Sequence, residues 1–199
     1  MERNVIVSVF NVESEGYQAL TEFKQAPQTE EYLISAAALV KKEDGACKVL
    51  DSFDTGTDTA NDTAAGGLLG MTVGILGGPL GMLLGASYGS LVGMSFDAID
   101  ADFGVSMLEQ VSSKLDEGML ALIALADEEK EKYLDEKLSA FDTVIARFDP
   151  DVVAEEVKKA DQMQREMARQ ARAELRKEKK EKLHKGFEEK KEKVKNAFK

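Results

Sequence analysis

The sequence predicts an α+β protein: a ferredoxin-like βαββαβ core with an inserted glycine-zipper helical hairpin, an extra αβ unit and a long C-terminal helix. Three observations predict it. Short β-branched runs alternate with segments of helical period; an uncharged stretch, 63–96, interrupts them; and a continuous helical pattern runs from Val152 onward.

The opening run, residues 4–10, is apolar and β-branched and reads as a buried strand. Asn11-Val12-Glu13-Ser14 offers a cap for a helix over 13–25, with Tyr17, Leu20 and Phe23 on its apolar side. Tyr32 to Val40 is a second strand and Ala46 to Phe53 a third. The Asp44-Gly45 turn between them makes the pair a hairpin. After the insertion, Val105, Leu108, Val111 and Leu115 mark a helix over 104–116, which Gly118 stops before a strand from Met119 to Ala126. A helix over 128–140, carrying Tyr133, Leu134 and Leu138, and a strand from Thr143 to Phe148 follow. The last helix has an apolar stripe of Val153, Val157, Ala160, Met163, Met167, Ala171 and Leu175 before charge takes over beyond Arg176. Residues 1–62 and 97–150 are thus two parts of one domain. Residues 63–96 are a hairpin inserted into it, and 151–199 a charged helix with a basic end.

Glycine spacing makes the insertion unusual. Gly66, Gly70, Gly74 and Gly78 are four apart, as are Gly81, Gly85, Gly89 and Gly93, with Pro79 between the sets. Such spacing lays bare backbone along one helix face, where a second helix can approach closely. Each helical glycine costs roughly 1 kcal/mol relative to alanine, so the registers need close packing to compensate. A single span would put strands of one sheet on both sides of a bilayer, so the chain must return, and Gly77-Gly78-Pro79 is the place for the turn. The arms, 64–77 and 80–96, would reach roughly 21–25 Å, short of the ~30 Å hydrocarbon core. Ala86 and Ser90 give the second arm an additional small face, free to meet a neighbouring subunit or this chain's own domain.

The net charge of −11 is unevenly placed: residues 176–199 carry eleven Lys/Arg and five Glu, a net of +6, leaving −17 on 1–175. An acidic body repels nucleic acid, so no nucleic-acid partner is expected. Asp54, Asp58 and Asp62 precede the hairpin and Asp97 and Asp100 follow it. In a ring of subunits these would form an acidic collar that attracts cations, and otherwise they are solvated caps. In the tail, Leu183, Phe187, Val194 and Phe198 form a thin apolar stripe through basic residues, suited to an anionic membrane surface or to a solvated helix.

Catalytic motifs are sparse. Cys47 and His184 are the only residues of their kinds, which leaves no disulfide, histidine metal cage or nucleophile–base triad. Asp51 to Asp62 has the length of a calcium loop, but Phe53 and Thr55 stand where oxygen-rich ligands are needed. GGPLG at 77–81 is followed by no GK[ST]. No cofactor is expected, and no small-molecule ligand can be named. The N-terminal run is too short for an export signal, so the expectation is a protein made in a reducing cytoplasm.

The opening strand at Val5–Phe10, the strand hairpin, the double glycine register and the "DTVIARFDP" run at 142–150 together resemble the domain of unknown function 1269 family, bacterial and archaeal proteins of about this length. The resemblance covers nearly the whole chain except the lysine-rich end, and it implies membrane association without an established activity. The expected function is therefore that of a non-enzymatic protein at the cell membrane, its folded domain in the cytoplasm, self-assembling through the hairpin as an inserted element, pore or scaffold. The alternative is a soluble cytoplasmic ring or cage with a buried apolar helical hub. A small-ligand or haem enzyme is a third class, for which the sequence supplies no ligating histidine.

Overall fold

The apolar run Leu120-Ala-Leu-Ile-Ala-Leu-Ala forms a strand buried on both faces, at the centre of a five-stranded antiparallel sheet. The computed structural model describes residues 1–56, 62–78, 80–82 and 107–197. In chain order the elements are β1 (Glu2–Phe10), α1 (Glu13–Gln25), β2 (Tyr32–Glu43), β3 (Ala46–Asp54), α2 (Asp62–Leu76), α3 (Met107–Lys114), β4 (Leu120–Glu128), α4 (Lys132–Leu138), β5 (Thr143–Phe148) and α5 (Pro150–Ala197). They form a compact unit over Met1–Asp161 and a second unit over Gln162–Lys199.

The sheet order is β3-β2-β4-β1-β5. Both β1 and β2 pair antiparallel with β4, so β1 and β2 are parallel to each other with β4 between them. This is the split βαβ arrangement, with α1 as the crossover. In a ferredoxin-like sheet the second strand of the hairpin takes that central place. Here the hairpin strand β3 lies at the edge and β4 is inserted instead.

Residues opposite one another in paired strands share a face, so the registers sort the core. Ile6, Ala124 and Ala37 align on one face, with α1 and α4 packed there around Phe10, Leu20, Phe23 and Leu134. Val7, Ile123 and Ala38 align on the opposite face. On α1, Gly16, Ala19, Leu20 and Phe23 are buried, whereas Tyr17, expected on the apolar side, is 39% exposed. Gly16 permits the close approach: a Cβ there would lie 3.2 Å from both Leu120 and Leu39. Asn11 does not cap this helix. Val12 is the cap residue and makes no side-chain cap bond.

The β2–β3 turn is built as expected. Asp44 and Gly45 both have positive φ, 57° and 77°, the geometry of a two-residue hairpin turn. The Glu117 carboxylate accepts both of their backbone N–H groups, at 3.1 and 2.6 Å.

Two carboxylates hold distant segments together. Glu156 on α5 is buried and accepts the N–H groups of Met107 and Leu108 at 3.0 and 2.8 Å, satisfying two amides at the start of α3. Glu128, whose side chain is 1% exposed, ends β4 and takes both arms of Arg147 on β5 at 2.9 and 3.0 Å. Arg147 also donates to Asp135 on α4 at 2.8 Å and to the Glu131 carbonyl. Hydrogen bonding to Glu128 is the largest influence holding the guanidinium in its charged form; burial opposes it. This pairing explains why β4 runs to Glu128 rather than ceding that residue to the next helix.

Removing one partner of a buried pair leaves the other uncompensated, which costs about 3 kcal/mol. Arg147→Ala should therefore lower unfolding free energy by about that amount in a urea titration, and Arg3→Ala, at a more open, part-buried pair with Asp127, by about 1 kcal/mol.

Candidate site along the glycine-rich helix

Helix α2 carries the first glycine register and lies on the sheet face that includes Ala36 and Ala38. Leu69, Thr72, Val73, Ile75 and Leu76 are buried. The Thr72 hydroxyl donates to the Leu68 carbonyl at 2.8 Å, so its burial leaves no polar group unsatisfied.

The glycines differ in what they meet. A Cβ on Gly77 would lie 2.6 Å from the Cys47 carbonyl oxygen, and one on Gly66 2.5 Å from an Asp54 carboxylate oxygen. These two mark where the helix ends press on β3. Gly70 and Gly74 are exposed, and a Cβ on either would meet nothing within 4 Å. Between these contacts runs an open groove of about 700 Å³, lined by Gly70, Gly74, Ala36, Ala38, Val49 and Cys47 among others. Small residues on both helix and sheet leave it unfilled. The first register therefore meets β3 at Gly66 and opens to the groove at Gly70 and Gly74, while Gly77, outside the register, meets the Cys47 backbone.

Chemistry in the groove is limited. Cys47 is buried, and burial pushes its thiol above the ordinary range, with a lesser opposing effect from Lys42. Lys42 is engaged elsewhere, donating to the Ser112 carbonyl at 3.0 Å. Asp54 accepts the Gly56 N–H at 2.9 Å, and Asp51 pairs with Lys24 at 2.6 Å. Among the described residues no three His, Cys, Asp or Glu side chains converge as a metal site would require. A second groove, of about 300 Å³, lies between α3 and the β1–β5 pair, with Val7, Val9, Ala146 and Phe148 among its walls.

The other expected site residues are spread differently. Gly78 closes the end of α2, donating to the Ile75 carbonyl at 3.0 Å. Gly81 follows among the helical residues 80–82, where a Cβ would collide with the Leu76 carbonyl. Pro79, Gly85, Ala86, Gly89, Ser90 and Gly93 lie outside the described residues, as do Asp58, Asp97, Asp100 and Phe198. Asp62 begins α2 and Asp54 ends β3, so the collar is described only at these two positions. Positions 183, 187 and 194 all lie within α5, and Leu183 is 67% exposed. Reading the sequence did not single out Glu156 or Arg147. A signal for the first exists: Glu156 falls three residues after Val153 and four before Ala160, inside the apolar stripe. The chain matches no family model, no curated protein and no solved structure.

Opposite stability effects should follow along one helix. Gly70→Ala and Gly74→Ala should each stabilise the chain by about 1 kcal/mol, because helical propensity improves in open space. Gly77→Ala should destabilise it, since the Cys47 backbone cannot yield as a side chain would; urea midpoints of the three variants check this. The raised thiol should make Cys47 slow to react with iodoacetamide at pH 8 in the native state and fast in urea. The same shift means that folding stability falls as pH rises through the thiol range.

Proposed function

We propose that this is a non-enzymatic, membrane-associated protein that self-assembles through its glycine-rich hairpin, its folded domain on the cytoplasmic side of the cell membrane. One observation carries the reading: from Gly66 to Leu76 the uncovered positions of α2 hold no polar side chain. Gly70, Met71 and Gly74 are exposed there, Met71 by 49%, with Gly67 half-buried beside them. A helix arc meant for water carries charged or polar groups; one apolar all round is built for burial in protein or lipid. The open groove beside Gly70 and Gly74 adds support, because bare backbone admits a second helix at close range.

Insertion would be shallow. α2 is 15 residues long, about 22 Å, and no helix among the described residues is long and apolar enough to cross a membrane. The proposal is a hairpin that enters or lies along the bilayer and packs against copies of itself, as a scaffold or small pore. The resemblance to the domain of unknown function 1269 family agrees with this. A ferredoxin-like relationship belongs to the same proposal: the split βαβ arrangement supports it, and the central place of β4 is the departure from it. The second reading, a soluble homo-oligomer with an apolar hub, is favoured by the same groove if another copy rather than lipid covers it.

Fractionation of native protein separates the two. Resistance to a carbonate wash with release by detergent as a large particle supports the proposal, and a large detergent-free particle selects the soluble assembly. A detergent-free monomer removes both. Gly85→Leu combined with Gly89→Leu should reduce the particle mass while circular dichroism stays unchanged, because the added bulk lies on the hairpin alone. An unchanged mass excludes that face as the subunit contact.

A further inference from the structure

Helix α5 extends to Ala197, and the unit over 162–199 holds fourteen Lys/Arg against seven Glu, by count along the sequence. Their placement around the helix is more informative than their sum. At about 100° per residue, the seven glutamates, at 166, 174, 178, 181, 188, 189 and 192, fall within roughly 140° of arc. The remaining arc, roughly 220° wide, holds no acidic residue. It carries ten of the thirteen basic residues between 162 and 197, beginning with an unbroken row of Arg165, Arg169, Arg172 and Arg176 at spacings of four, three and four. Positions 183, 187 and 194, a leucine, a phenylalanine and a valine, continue that same row. From Ala168 to His184 every residue is exposed, and no carboxylate pairs with Arg169, Arg172 or Arg176 among the described residues.

We infer that this acid-free arc is a docking surface for an anionic phospholipid bilayer. Charge complementarity selects the partner's sign. Arginine's planar fork suits phosphate oxygens, and the apolar residues within the basic row suit a bilayer interface better than the edge of a nucleic acid. The glutamates do not cancel the attraction, because their positions fall on the other arc of the helix. Basic residues held at an anionic surface act within a Debye length, so their face matters as well as their number. The inference adds a lipid class to the membrane association proposed above, but it rests on a different element and can fail alone.

The test uses the full chain with vesicles of phosphatidylcholine alone and of phosphatidylcholine mixed with phosphatidylglycerol. Two triple variants carry the same change in net charge. Arg169→Glu, Arg172→Glu and Arg176→Glu reverse the basic arc; Lys177→Glu, Lys185→Glu and Lys195→Glu reverse bases on the acidic side. The arc variant should lose roughly 100-fold of the affinity gained from phosphatidylglycerol, and the control variant should lose about a tenth as much. Equal losses in the two variants overturn the proposal, as does a wild-type chain indifferent to phosphatidylglycerol. Tighter binding to duplex DNA than to anionic vesicles at equal phosphate concentration also overturns it. Binding to pure phosphatidylcholine should be the same in all three proteins, and its absence counts against the hairpin reading rather than this one.

Discussion

The place of β4 between β1 and β2 is the constraint on which the rest of this structure depends. Its side chains from Leu120 to Leu125 are buried, and it shares ladders with strands from the first part of the chain on both sides. Everything between Asp54 and Leu120 must therefore leave the sheet and come back to it. A chain so tied cannot thread the glycine-rich stretch once through a bilayer, because the strands before and after it are bonded to one another. The return is fixed further by Glu156, which holds the amides at the start of α3 from a helix that begins only after β5.

Within that constraint the first glycine register serves two purposes. Its first member, Gly66, lets the helix press against Asp54, and Gly77, next to the register's last member but outside it, does the same against the Cys47 backbone. The register's middle members leave space. Filling that space with alanine would improve helix propensity, so the glycines at 70 and 74 are not explained by the stability of this domain alone.

Much of the fold was legible because local pattern decided it. The Asp44-Gly45 turn, the buried β4 run and the spacing of Leu134 and Leu138 each declared an element without help from elsewhere in the chain. The strand order was not legible, since nothing local distinguishes a hairpin strand that pairs inward from one left at the edge. Long-range polar pairs were hidden for the same reason: Arg147 lies 19 residues from Glu128, and Glu156 lies 48 from the amide of Leu108 that it holds. Tyr17 was misplaced because tight packing of α1 at Gly16 turns the helix so that the tyrosine faces outward. The glycine registers were visible from the start, but not that the first would meet its own sheet; that depends on Ala36 and Ala38 being small in turn.

Contact between lipid and the uncovered arc of α2 is the central claim, and the chain is well suited to measuring it because it contains no tryptophan. Met71→Trp on the exposed arc and Leu50→Trp on the domain's opposite packed face would each supply a single fluorescent reporter. With vesicles whose acyl chains carry bromine, the account predicts strong quenching of the reporter at position 71 and little at position 50. Bound protein with equal quenching at both positions, or with none at position 71, would contradict it.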